Sequence, residues 1–211
     1  MIYILSMEYT LIGKNDLKIS KFALGTWPFA GGELWGNQDD NDSISAVHEC
    51  YENGINFFDT APGYGDGRSE EVLGKAIKNI RNSVVIGTKI PPADLGKNNL
   101  INSVENSLKG LNTDYIDLMQ IHWPNHDIPI DETAQEIQSL IDSGKINEIG
   151  VSNFGVLDMT DVLNNLNVVT NQLPYNAFWR AIEDDIKPFC IENNIGIILS
   201  LIHISEPTRL W

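Results

Sequence analysis

Four side chains of this 211-residue chain could do chemistry together: Asp59, Tyr64, Lys89 and His122. Asp59 ends an apolar run, and the turn Thr60-Ala61-Pro62-Gly63-Tyr64-Gly65 places a tyrosine shortly after it. Lys89 closes Val84-Val85-Ile86-Gly87-Thr88-Lys89, and His122 closes Ile116-Asp117-Leu118-Met119-Gln120-Ile121-His122. Each step is about one βα unit, roughly 30 residues. Parallel neighbouring strands would gather the three residues at one rim, with Tyr64 on the loop above. A buried carboxylate needs a partner, and Lys89 can supply it. A tyrosine hydroxyl, with pKa about 10, donates poorly at neutral pH, and a nearby ammonium is expected to lower that value. With His122 hydrogen-bonding a substrate oxygen, the set would be a proton-donor site for a carbonyl gaining negative charge.

The elements that must position these residues can be read in order. Residues 9–19 form an expected hairpin turning at Gly13-Lys14-Asn15-Asp16. A strand at 22–26 follows, then a helix from a cap at Asp42 to Gly54, with Ile44, Val47 and Tyr51 on its buried face. In the central strand, alternation puts Ile55, Phe57 and Asp59 on one face and Asn56, Phe58 and Thr60 on the other. Ser69 is the expected cap of the next helix, whose stripe is Val72, Leu73, Ala76, Ile77 and Ile80. Further strands are expected at 84–89, 116–122, 146–151, 168–172 and from 195. The helices between them carry Leu100, Ile101, Val104, Leu108 and Leu111, then span about 131–143, 156–166 and 183–193.

Regular β-then-α alternation without a composition break implies a parallel sheet in one domain. An open doubly wound sheet concentrates its site at one switch point, whereas a barrel gathers every strand end around one mouth. Polar residues end five strands in succession, so an incomplete (β/α)8 barrel with an N-terminal hairpin is expected, about six and a half βα units long. Gly63-Tyr64-Gly65-Asp66-Gly67 imitates a dinucleotide fingerprint, but Arg68 stands where the third glycine belongs and Pro62 intrudes.

A net charge of −15 argues against sequence-independent nucleic-acid binding. Cys50 and Cys190 are too few and too distant for a disulfide scaffold or a metal site, and are expected to be buried thiols. No apolar run approaches a membrane span, and the opening residues are too short for a signal peptide, so a cytoplasmic protein without membrane partners is expected.

Six segments in register carry a family resemblance: Gly25-Thr26-Trp27, Asp59-Thr60-Ala61-Pro62-Gly63-Tyr64-Gly65, Gly87-Thr88-Lys89, Gln120-Ile121-His122-Trp123-Pro124, Gly150-Val151-Ser152-Asn153-Phe154 and Gln172-Leu173-Pro174-Tyr175-Asn176. Over roughly residues 7–198 the chain resembles the aldo-keto reductases, in particular bacterial members with a Trp-Gly loop, here Trp35-Gly36. The resemblance implies a (β/α)8 barrel that binds NADPH (NADP) without a Rossmann fold and reduces small aldehydes or ketones, with no metal. It implies Tyr64 as general acid, tuned by Lys89 and Asp59, and His122 orienting the carbonyl. It further implies Ser152, Asn153 and Gln172 at the nicotinamide carboxamide, Gly25 and Thr26 beside the cofactor, and Trp27 and Trp123 at the substrate pocket. Two other readings stay open: a Schiff-base aldolase using Lys89 as nucleophile, and a non-catalytic, cofactor-sensing barrel like the channel β-subunits of the family.

The pattern departs from the family after residue 198. Residues 199–211 resemble the in-frame translation of a sequencing-library adapter and are expected to be non-native, with no role for His203; Met7 is a candidate native start.

Overall fold

The computed structural model describes residues 6–13, 17–96 and 99–200. The upstream residues 1–5, the hairpin turn at 14–16 and the tail 201–211 with His203 lie outside the described residues. The hairpin pairs β1 (Tyr9–Ile12) antiparallel with β2 (Leu17–Ser20). Next come β3 (Ala23–Gly25), α1 (Gly32–Trp35), α2 (Asp40–Glu52), β4 (Phe57–Asp59), α3 (Arg68–Ile77), β5 (Val85–Ile90) and α4 (Asn99–Leu111). The chain continues through β6 (Ile116–Ile121), α5 (Ile130–Asp142), β7 (Ile146–Ser152), α6 (Val156–Leu163), β8 (Val168–Pro174), α7 (Ile186–Glu192) and β9 (Gly196–Ser200).

Strands β3 to β9 form one 7-stranded sheet in chain order, every neighbouring pair parallel. Gln172 on β8 donates from Nε2 to Asp59 Oδ1 on β4 at 3.1 Å. In a flat sheet those strands would stand about 19 Å apart, four spacings of roughly 4.8 Å. The sheet is therefore curled, and with no reversal of strand order the doubly wound alternative falls. The fold is an incomplete (β/α)8 barrel, and among the described residues β3 and β9 each pair on one side. Leu199 and Ser200, assigned by sequence to the tail, continue β9 opposite Leu173 and Pro174 of β8.

Two apolar layers follow from the strand alternation. Ile19, Phe57, Val85, Leu118 and Val169 fill the barrel floor beneath the hairpin. Phe58, Ile86, Met119, Ile149 and Val168 face outward into the layer under the helices, against Leu73, Ile77, Leu100, Val104 and Ile137. Val168 and Val169 thus face opposite layers, as a regular strand requires. The register then shifts: Ile149 pairs with Val168, whereas Gly150 pairs with Thr170. This β-bulge inserts Val169 and reverses the phase of the rest of β8, so that Gln172 points into the barrel. Without the bulge, alternation from Val168 would turn Gln172 outward.

Some local readings need correction. The cap of α2 is Asp39, not Asp42: its carboxylate accepts from the Asn41 amide at 2.7 Å, leaving Asp40 and Asp42 in the first turn where the helix dipole favours them. Helix α3 starts at Arg68 after Gly67, whose φ of 89° no cap side chain supports, and the Ser69 hydroxyl is used elsewhere. Ile101 is 37% exposed, because one residue past buried Leu100 rotates it off the core face. The helix expected from Glu183 is broken: a 3₁₀ turn, Ala181–Glu183, precedes α7, which Asp185 caps. Pro188 cannot sit inside a helix continuing from 183, since its ring would meet the Asp184 carbonyl; in the first turn of a new helix it fits. Cys190 is buried and Cys50 partly so, both as free thiols.

Gly74 shows how close the helical layer packs. A Cβ there would stand 2.7 Å from the Leu111 carbonyl carbon and oxygen and 2.8 Å from the Gly110 oxygen. Those are backbone atoms and cannot swing aside. Alanine favours a helix by roughly 1 kcal/mol over glycine, yet Gly74→Ala is expected to lower stability by about 1–3 kcal/mol, since α3 and α4 must separate. Thermal or urea unfolding reads the sign; a stabilised variant would show that the two helices part without cost.

Candidate active site

The strand ends place the four sequence-predicted residues in one cluster. Gly25, Asp59 and Gly87 lie in register across β3, β4 and β5, and Lys89 is level with Gln120 on β6. Phe57 and Asp59 share the inner face, as alternation requires, while Thr60 turns outward to Ser69. Lys89 crosses the interior with its side chain fully buried and donates from Nζ to Asp59 Oδ2 at 2.8 Å and to the Thr60 carbonyl at 2.7 Å. The Tyr64 hydroxyl is 3.4 Å from the same Nζ. The His122 and Tyr64 rings meet edge to face, centroids 6.3 Å apart, and Trp27 stacks on Tyr64 at 5.7 Å. Trp35 meets Trp27 edge to face at 5.4 Å, and Trp123 is 51% exposed on the loop after His122.

Asp59 is held from three sides. Its second oxygen, Oδ1, accepts from Gln120 Nε2 at 3.2 Å and from Gln172 Nε2 at 3.1 Å. Gln120 lies within a matched segment, and the resemblance assigns it no role. Its signal was a polar residue in an apolar strand, two positions before His122 and so on the same face. The Thr60 carbonyl could not be foreseen, because a backbone oxygen carries no side-chain signature.

Burial and charge set the protonation of the cluster. Burial alone would push the Lys89 ammonium down, but the Asp59 carboxylate beside it leaves it above the usual lysine range. Burial pushes the Tyr64 phenol up; the Lys89 ammonium pulls it back, and the Asp59 charge raises it again. The net direction is upward, a correction to the expected lowering: the desolvation of a phenolate outweighs the lysine here. His122 is pushed down to about 4, first by burial and then by the Lys89 charge. The site thus contains a charged lysine, a neutral imidazole and a protonated phenol. Glu70, in the first turn of α3, is 2% exposed and accepts from the Thr88 hydroxyl at 2.7 Å, with its carboxyl pushed up by burial.

The remaining named residues separate into mouth and wall. Ser152 and Gln172 are register partners on β7 and β8, and the Ser152 hydroxyl donates to the Gln172 carbonyl at 3.1 Å. Asn153 sits at φ 64°, a conformation asparagine tolerates, and its amide donates to the His122 carbonyl at 3.1 Å and to Ser152 Oγ at 2.9 Å. Gly25 faces open space, whereas Thr26 is fully buried with its hydroxyl committed to the wall at Asp59 and Ser69. Among the described residues, no group of three or more His, Cys, Asp or Glu could hold a metal ion, and no helix is long and apolar enough to cross a membrane.

Comparison with known proteins adds to this geometry. The model of the aldo/keto reductase family matches residues 21–202. Aldo-keto reductase YhdN of Bacillus subtilis (strain 168) is 43% identical over 205 residues, covering 92% of this chain and 61% of its own. A probable voltage-gated potassium channel subunit beta of Arabidopsis thaliana is 32% identical over 208 residues, covering 90% and 62% respectively. The crystal structure of an aldo/keto reductase from Klebsiella pneumoniae in complex with NADP and acetate matches with a TM-score of 0.83 at 32% identity, over 90% of this chain and 66% of that one. The chain therefore spans less than two thirds of the length of the two sequence relatives. The family match extends over most of the chain and includes every strand end that builds the cluster, so the chain belongs to the aldo/keto reductase family.

Proposed function

We propose that this barrel serves an NADPH-dependent reductase of aldehydes or ketones, with Tyr64 as the general acid. The observation that carries this reading is the contact of the Tyr64 hydroxyl with a fully buried lysine that Asp59 keeps charged. When bound, NADPH would supply the hydride. Ser152, Asn153 and Gln172 would hold its carboxamide. The donor set fits that group, because Asn153 Oδ1 and Gln172 Oε1 can accept from an amide while a second Gln172 Nε2 proton can be given. The NADP-bound Klebsiella relative supports the choice of cofactor.

The chain's own residues would handle the proton. As the carbonyl oxygen gains negative charge, Tyr64 would give it the phenolic proton, and the Lys89 ammonium would offset the charge left on the phenolate. A neutral His122 can donate one hydrogen bond to the same oxygen and fix its approach. Gln120 and Gln172 would prevent Asp59 from turning away from Lys89. The Schiff-base alternative is disfavoured, since a nucleophilic amine must be uncharged and Lys89 is held as ammonium. The channel-subunit relative keeps the cofactor-sensing reading as the rival. Because the chain covers 61% of YhdN, the activity is proposed for a protein carried to the length of its relatives. The 211-residue chain alone is expected to lack turnover: among the described residues β3 and β9 each pair on one side only.

Two outcomes are expected. In the relative-length protein, Tyr64→Phe should cut kcat at least about 100-fold with NADPH affinity retained, and Lys89→Met should also cripple turnover by leaving Asp59 without its cation. Near-normal turnover by Tyr64→Phe would move the acid elsewhere; tight NADPH binding without wild-type turnover would favour the sensing role.

The second outcome is a titration. In NMR, the His122 ring should change protonation at about 4, whereas exposed His126, paired with Asp158, should do so above the usual histidine value. The sign for stability follows. Between about 4 and the usual 6.5, an unfolded chain binds a proton that folded His122 refuses, so this site removes stability as pH falls through that window. A His122 midpoint near 6.5 would mean that the imidazole is solvated and free to charge.

A further inference from the structure

Three hydroxyls, those of Thr26, Thr60 and Ser69, are fully buried behind the catalytic cluster. Ser69 Oγ donates to the Thr26 carbonyl at 2.8 Å, and it lies 2.7 Å from Thr26 Oγ1 and 3.0 Å from Thr60 Oγ1. Thr26 Oγ1 can in turn donate to the Asp59 carbonyl at 3.1 Å, where the Thr26 amide also donates at 2.9 Å. Thr60 can give its proton to Ser69 and Ser69 gives its own to the Thr26 carbonyl, while the Thr26 hydroxyl has two acceptors, Ser69 Oγ at 2.7 Å and the Asp59 carbonyl at 3.1 Å. The Ser69 amide donates to the Tyr64 carbonyl at 3.2 Å.

Ser69 therefore touches the backbone of the tyrosine through its amide and the residue that caps the lysine through its hydroxyl. The Thr60 carbonyl, 2.7 Å from Lys89 Nζ, is part of the peptide that this hydroxyl pins from the outside of the sheet. The loop between them is also closed by the Tyr64 amide on the Ala61 carbonyl at 3.1 Å and the Gly67 amide on the Pro62 carbonyl at 2.8 Å, with Gly65, Asp66 and Gly67 all at positive φ (66°, 51° and 89°); of these contacts, those of Ser69 reach both Thr60 and Tyr64. Gly65 does pack on Ala30, where a Cβ would approach to 3.0 Å, but that contact sets the position of the loop tip and not of the lysine.

We propose that Ser69 is a positioning residue: from the first turn of α3 it holds the Thr60 carbonyl that receives Lys89 and the Tyr64 backbone in one register, without touching substrate. The kinetic consequence rests on the reductase reading; the placement of Lys89 does not. A helix cap alone would not do this, because α3 begins at Gly67–Arg68 and draws no cap bond from the Ser69 side chain.

The test uses Ser69→Ala and the shape-preserving Thr60→Val in the relative-length protein, singly and together. Each single variant should lower kcat roughly ten- to a hundredfold, the scale of a small misplacement in a catalytic set. KM and NADPH affinity should stay within about twofold. The double variant should be no worse than Ser69→Ala, because both act through one contact. The proton exchange of the Lys89 ammonium, read by ¹⁵N-edited NMR, should speed up in both variants while amides in the middle of β6 keep their wild-type exchange. Unchanged kcat and unchanged Lys89 exchange, with only a lower Tm, would reduce Ser69 to a structural group and overturn the proposal. If Ser69→Ala does not fold, Thr60→Val decides by the same criteria. If the wild type itself shows no turnover, the reductase reading fails separately: faster Lys89 exchange in the variants then upholds the positioning role, and unaltered exchange overturns it.

Discussion

The structure depends on keeping one ammonium inside a barrel. Lys89 has no exposed side-chain surface, and an isolated charge in such a place would lose its proton or unfold the site. Asp59 supplies the counter-charge at 2.8 Å, but a buried pair is by itself weak evidence for stability, because desolvation of both ions opposes their attraction. Further hydrogen bonds offset part of that cost: the Thr60 carbonyl accepts from the lysine, and two amides donate to the second carboxylate oxygen. Losing one partner of such a pair costs about 3–5 kcal/mol, a large share of what a domain has. A chain that retains it at that risk is retaining it for the charge.

Much of the architecture can be understood as delivery of those partners. Curling the sheet brings β8 across to β4, and the bulge at Val169 rotates Gln172 to meet Asp59. Gly150 belongs to the same design, since a Cβ there would lie 2.2 Å from the Thr170 hydroxyl beside Gln120. On the opposite wall the buried hydroxyls tie β3, β4 and α3 into one piece. Asn153 anchors the His122 backbone from β7. Aromatic contacts of Trp27 and His122 then leave Tyr64 little freedom except at its hydroxyl.

The sequence was most legible where period and spacing repeat. Phe57 inward, Phe58 outward, Asp59 inward and Thr60 outward follow from pleat geometry alone. The strand-end positions of Asp59, Lys89 and His122 follow from βα-unit length, and the barrel from polar residues that end five strands in succession. What could not be read depended on geometry between elements. The bulge leaves no mark in the composition of β8. Ser69 looked like a cap because capping and wall-building use the same hydroxyl chemistry. Tyr64 was expected to acidify because the lysine could be foreseen and the depth of its burial could not. The break before α7 is legible in Pro188, whose ring bars a helix continuing from 183.

With Asp59 and the Thr60 carbonyl on its Nζ, Lys89 is a locked cation and not a reserve amine. Its direct test is the ¹⁵N chemical shift of the Lys89 Nζ followed against pH, assigned by comparison with Lys89→Met. A locked ammonium keeps its shift beyond the pH at which a free lysine, at about 10.4, gives up its proton. A Lys89 that becomes neutral earlier than free lysine would contradict it and would return the amine to the list of nucleophiles.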